Sequence, residues 1–317
     1  MTTKNAHAPS SNERCPWRGV LAALVAPFHE DGRVDFRSLE AQTDFVQESG
    51  VDGIVVNAHS GEAGKLNDEE RRRIAEVVLK RVGDRRPVIV GASGPSNHVA
   101  VEFGRHAKDN GASGLLASPP PGAAFAESQV QIFYDELDAA VGLPVMIQDS
   151  PHLVPVPLPP HLVSEIHREV QTAVAVKIEA PPTSTKMGAV ARLSPGLAMF
   201  GGLDGAYLVD EMERGARGIV CGPAFPGELV QVVSAVRAGD IDGARRLHAR
   251  TAELIRFLSQ SLEFSFHATK RILQKRGILD SSAVRRPTTP FDERNERDLL
   301  RIATDAAVLP RTSPASH

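Results

Sequence analysis

The sequence predicts an α/β chain folded as a (β/α)8 TIM barrel with a C-terminal helical appendage, and three observations support this. Short β-branched or apolar runs alternate with longer amphipathic stretches, the pattern of repeated βα units and a parallel sheet. Eight such pairs can be counted, and eight parallel units close naturally into a barrel. No G-x-G-x-x-G turn follows the first strand, so the rival open, doubly wound dinucleotide-binding sheet has less support.

The predicted strands cover residues 20–25, 53–57, 88–91, 114–117, 144–148, 173–178, 198–201 and 218–221. The helices that follow them cover 35–49, 68–82, 96–110, 127–141, 159–169, 183–193, 205–214 and 227–238. Ser, Thr, Asp or Asn often stands near a helix start, and Gly50, Gly83, Gly111 and Gly142 stand just past helix ends, as capping chemistry requires. Beyond the barrel, helical patterns run over 241–259, 264–276 and 292–308, with Pro287 and Pro290 forbidding helix between the last two. The chain thus divides into a disordered tail at 1–14, the barrel at 15–238, a helical segment at 239–308 and a second disordered tail at 309–317. The helical segment is expected to cover one side of the barrel or to form an oligomer contact.

Composition narrows the function. Over 317 residues, 42% hydrophobic and 24% charged usage is ordinary for a globular chain. The net charge of −3 is spread without a basic stripe, so neither nucleic acid nor a membrane surface is an expected partner. Cys15 and Cys221 form no C-x-x-C, and no Cys/His spacing would build a metal site. No apolar run reaches the roughly 18 residues of a spanning helix and no secretory h-region precedes the barrel, so a cytoplasmic location is expected.

In a barrel of this kind the chemistry sits at the strand C-termini. Those ends carry Asn57-Ala58-His59-Ser60-Gly61-Glu62, Gln148-Asp149-Ser150-Pro151-His152, Lys177-Ile178-Glu179 and Gly201-Gly202-Leu203-Asp204. Lys177 interrupts the apolar run Ala173–Ile178. It is either a strand-end lysine that snorkels to water or a desolvated amine able to attack a ketone and form a Schiff base.

These blocks resemble the dihydrodipicolinate synthase / N-acetylneuraminate lyase family of Schiff-base lyases and aldolases over residues 18–308. Further matches are Val25-Ala26-Pro27-Phe28, Gly50-Val51-Asp52-Gly53-Ile54, Pro87-Val88-Ile89-Val90-Gly91, Lys270-Arg271-Ile272-Leu273 and Val284-Arg285-Arg286-Pro287. The resemblance implies that Lys177 is the imine-forming lysine, that no other cofactor is needed, and that the assembly is a homotetramer or homodimer. It also implies that Ala58-His59-Ser60-Gly61-Glu62 replaces the family's Gly-Thr-Thr-Gly-Glu loop, with Ser60 and nearby amides binding the keto-acid carboxylate. The family's catalytic tyrosine aligns with Gln148, which transfers no proton at neutral pH. Its second-carboxylate arginine falls near Leu153 and its interface tyrosine near Pro121 or Gly122, which argues against lysine-biosynthetic activity.

His59 is the sequence's candidate for the missing proton carrier, since imidazole titrates near neutrality; a histidine merely hydrogen-bonded in its loop is the other reading. Asp149 and His152 could orient substrate hydroxyls, and Glu179 could hold the amine, a substrate hydroxyl or a structural salt bridge. Gly201 and Gly202 could admit a ligand to the backbone or serve tight packing. Glu62 reads as a structural group beneath its loop. The favoured function is a lyase or aldolase acting through Lys177 on pyruvate or another 2-keto acid, with an aldehyde or sugar acid as its other substrate. The alternatives are a 2-keto-3-deoxy sugar acid dehydratase using the same imine, and a non-catalytic keto-acid-binding barrel.

Overall fold

The computed structural model describes residues 14–121 and 126–310. The expected tails, apart from Arg14, Leu309 and Pro310, lie outside the described residues, as do Gly122 and Ala123 of the predicted interface loop. Eight parallel strands close in sequence order, each hydrogen-bonded to the next and β8 to β1. They are β1 (Gly19–Ala23), β2 (Gly53–Val56), β3 (Val88–Gly91), β4 (Gly114–Ala117), β5 (Val145–Asp149), β6 (Ala173–Ile178), β7 (Ala198–Gly201) and β8 (Gly218–Cys221). The outer ring is α1 (Phe36–Glu48), α2 (Asp68–Val82), α3 (Asn97–Asp109), α4 (Glu127–Val141), α5 (Pro160–Glu169), α6 (Thr183–Leu193), α7 (Leu208–Glu213) and α8 (Pro226–Arg237). After it come α9 (Ile241–Leu258), α10 (Leu262–Lys275) and α11 (Glu293–Asp305).

The period-two alternation of strand side chains separates two cores. One face of each strand packs against the helices, and the other fills the lumen with residues such as Leu21, Ile89, Met146 and Phe200. Trp17, fully buried, belongs to the lumen cluster just before β1. Glycine is required opposite it, because a Cβ on Gly114 would lie 2.3 Å from the indole ring. The same alternation points Gln148 and Lys177, which are partners in register, into the lumen.

Most boundaries shift by one to three residues, and three of the departures bear on the site or have a visible cause. β1 ends at Ala23 rather than Val25, because the Gln42 side chain takes over both backbone groups of Val25. β5 runs on to Asp149, which puts that residue on the outward face. The seventh helix shrinks to Leu208–Glu213 behind a 3-10 turn at Leu203–Gly205, where Leu203 and Asp204 take positive φ.

The appendage is fastened to the barrel by charge. Glu62 and Lys270, both fully buried as side chains, form an ion pair, and Lys65 Nζ approaches Glu62 at 3.3 Å and Glu263 at 2.6 Å. Lys270 also donates to the Ala283 carbonyl at 2.8 Å and lies over the Phe28 ring. Burial pulls the Lys270 ammonium down to about 8 against the pull of Glu62. Arg285 adds bonds to Glu70 and to the carbonyls of Gly32 and Lys65. Breaking a buried pair by removing one partner costs about 3–5 kcal/mol, because the other charge stays desolvated. Lys270→Met should therefore lose about that much in urea unfolding, and Glu62→Gln added to it should recover part of the loss; equal stability of wild type and Lys270→Met would contradict this account.

Candidate active site

A cavity of about 580 Å³ opens at the C-terminal ends of the strands. Six of the residues singled out in the sequence line it: His59, Ser60, Gln148, His152, Lys177 and Glu179. Its far wall comes from the turn between α9 and α10, so the appendage supplies part of the site.

At the heart of the site Lys177 Nζ lies 2.9 Å from Glu179 Oε2, with both side chains buried. The two residues share a strand face, two positions apart. Ser150 Oγ also donates to Glu179 Oε2, Gln148 donates to Ser150 Oγ at 3.3 Å, and the Leu203 N–H donates to Glu179 Oε1 at 3.1 Å. Burial alone would raise the Glu179 carboxyl; the Lys177 charge and these donors outweigh it and hold the group at about 2. Gly202 makes room for this carboxylate, since a Cβ there would sit 2.3 Å from Glu179 Oε1. The positive φ of Leu203 and Asp204 accompanies the turn that aims the Leu203 N–H, and Asp204 braces that turn by accepting from the Gly222 N–H at 2.8 Å.

His59 and Ser60 occupy a 3-10 turn whose leading N–H groups have no acceptor within the turn. His59 Nε2 lies 3.2 Å from Ser118 Oγ, which in turn meets Ser93 Oγ at 3.0 Å. Burial, then the charge of Lys177, pushes the imidazole down to about 4. At neutral pH His59 is therefore an uncharged ring held by Ser118, which Ser93 holds in turn, rather than a group poised at the working pH.

Asp149 and Gly201 are not brought into the cavity. Asp149 faces the helices and pairs with Lys186 of α6 at 2.7 Å, because β5 continues through it. A Cβ on Gly201 would collide with the Glu211 carboxylate, so this glycine serves packing behind β7. Gly202 acts through Glu179 instead of touching a ligand. Sequence reasoning missed Ser150, Ser118, Ser93 and Asp204. Ser150 and Asp204 stand at strand ends already under scrutiny, but a single serine or aspartate carries no spacing signal.

The dihydrodipicolinate synthetase family model matches residues 16–306. The chain belongs to the dihydrodipicolinate synthetase family. It is an enzyme of the Schiff-base lyase class on that membership. Among curated relatives in the family, it is 29% identical over 292 residues to an L-2-keto-3-deoxyarabonate dehydratase of Azospirillum brasilense, covering 90% of this chain and 93% of that one. It is 32% identical over 300 residues to a 4-hydroxy-tetrahydrodipicolinate synthase of Kineococcus radiotolerans, covering 92% and 93%. The crystal structure of a dihydrodipicolinate synthase from Rhodopseudomonas palustris superposes with a TM-score of 0.86 at 31% identity, covering 91% of this chain and 97% of that one. Among the described residues of this family member, no helix is long and apolar enough to cross a membrane.

Because the folded His59 ring titrates below its unfolded value of about 6.5, the unfolded chain binds more protons between about pH 4 and 6.5. The contribution of His59 to stability is whole above that window and is lost as pH falls through it. Histidine NMR titration should find the His59 ring neutral at pH 6 with a midpoint near 4; a midpoint at 6 or above would contradict the geometry.

Proposed function

We propose that this enzyme dehydrates a 2-keto-3-deoxy sugar acid through an imine between Lys177 and the substrate's C2 carbonyl. The observation that carries the reading is the 2.9 Å pairing of Lys177 Nζ with the Glu179 carboxylate at the base of the cavity. The amine adds to C2 once its proton passes to a neighbouring base, and Glu179 is in contact to take it. Glu179 returns that proton to the carbinolamine hydroxyl, which leaves as water; the protonated imine that results withdraws electrons from C3, and Glu179 is a carboxylate again. C3 is bonded to the imine carbon, so a carboxylate beside the imine nitrogen lies next to the C3 hydrogens. Glu179 removes one of them to give the enamine, the enamine expels the C4 hydroxyl, and the proton on Glu179 leaves with it as water.

Aldol cleavage at the same imine needs a base on the C4 hydroxyl, the task of the family tyrosine whose position holds Gln148 here. A glutamine moves no proton at neutral pH, so elimination at C3–C4 fits the groups present better than C–C cleavage. Ser60 and the adjacent amides would hold the substrate carboxylate, and neutral His59 would donate or accept a hydrogen bond without changing charge. The similarity to the Azospirillum dehydratase supports the reading. Leu153 lines the cavity where a second-carboxylate arginine would be expected, which speaks against lysine biosynthesis. The chemistry calls on no cofactor beyond the lysine.

Incubation with pyruvate and borohydride, followed by peptide mass spectrometry, should place the reduced adduct on Lys177; an unlabelled Lys177 would sink the proposal and leave a binding-only barrel. With a 2-keto-3-deoxy pentonate, NMR should show loss of the C4 hydroxyl carbon with all five carbons kept in one product, whereas release of pyruvate and a two-carbon aldehyde would establish aldol cleavage. Glu179→Gln should slow borohydride labelling of Lys177 without abolishing it and lose about 10²- to 10⁴-fold in turnover, the usual contribution of a placed acid–base group.

A further inference from the structure

The cavity, at about 580 Å³, is larger than a keto-acid head requires, and its far wall has a chemistry of its own. Ser261, Ser265 and Thr269 recur at four-residue spacing, which places them on one face of α10, and all three line the cavity. The Ser261 hydroxyl is committed to capping α10 through the Phe264 N–H at 3.1 Å. Those of Ser265 and Thr269 have no hydrogen-bond partner among the described residues, although Thr269 is only 5% exposed. Both hydroxyls open onto the cavity, so a ligand that carries hydroxyls of its own can take up their bonds in place of water.

Charge limits what that something is. Among the described residues lining the cavity, Lys177 is the only lysine or arginine, and it is already paired with Glu179, while Asp204 brings a further carboxyl group. A second carboxylate on a ligand would be desolvated there without a partner, and an apolar tail would leave both α10 hydroxyls unsatisfied.

We propose that Ser265 and Thr269 form the specificity subsite for an uncharged, hydroxyl-bearing tail, so that α10 selects sugar acids over dicarboxylic keto acids. The subsite deepens the dehydratase reading, in that its ligand is the distal end of that substrate. Its position is set by the neighbouring residue, because Lys270 anchors α10 to Glu62.

A five-carbon aldonate tests the subsite separately from the imine, since it carries the hydroxyl tail but no ketone. By titration calorimetry the aldonate should bind the wild-type enzyme more tightly than glutarate, a dicarboxylate of the same length. Thr269→Val with Ser265→Ala should weaken aldonate binding about tenfold or more, as expected for two hydrogen bonds of ordinary strength, and should leave pyruvate labelling of Lys177 unchanged. Aldonate binding that is absent, unaltered in the double variant or weaker than glutarate binding would overturn the subsite. Failure to label Lys177 alongside a normal aldonate result would overturn the imine and leave the subsite standing.

Discussion

The buried pairing of Glu62 with Lys270 is the constraint on which the rest of the site rests. Glu62 terminates the turn that presents His59 and Ser60, and it does so with a positive φ that few residues other than glycine adopt readily. Lys270 sits in the middle of the helix whose neighbouring turns present Ser265 and Thr269. One interaction therefore sets two opposite walls of a single cavity, one near the start of the chain and one near its end. Desolvated charges hold such a geometry tightly, because any displacement leaves each ion without water and without its partner. The appendage is thus a wall of the reaction chamber as well as a cover for the barrel.

A second balance of charge operates at the base. Burial opposes ionisation of Glu179, and the structure overcomes it with the Lys177 charge, the Ser150 hydroxyl and the Leu203 N–H. Two consecutive residues at positive φ are the backbone cost of that last donor, at about 1–3 kcal/mol for each non-glycine position. Strain of this kind persists only where the surroundings hold it in place, and here Asp204 is fixed by the Gly222 amide. The carboxylate is consequently fixed from three loops, and its reach toward a ligand is defined before any ligand arrives.

The barrel was legible from the sequence because its signals are periodic: apolar runs recur, helix caps punctuate them, and every predicted strand and barrel helix has its counterpart. Failures occur where a side chain overrides the backbone ladder, as Gln42 does at Val25, or where strain replaces helix, as at Leu203 and Asp204. Lys177 and Glu179 were legible as a pair, since two residues of a strand separated by one must share a face. Asp149 was misplaced for the same reason: one extra strand residue sends a side chain to the other side of the sheet. The Ser93–Ser118–His59 chain joins three separate loops, and no pattern within any one of them announces it.

The departure at Gln148 gains meaning from this geometry. A phenol on the fifth strand and a carboxylate two residues beyond the lysine on the sixth address different atoms of the same bound chain. A proton carrier facing the C4 hydroxyl draws electrons toward breaking C3–C4, because the alkoxide collapses to a carbonyl as the imine accepts the pair. A base beside the imine nitrogen instead meets the C3 hydrogens, and the enamine it generates pushes the C4 oxygen out. The electron sink is identical in the two cases, so the position of the base decides which bond is lost. On the dehydratase reading proposed above, a fifth strand without a proton carrier, together with Glu179 against Lys177, directs the shared imine to carbon–oxygen rather than carbon–carbon cleavage within the same fold.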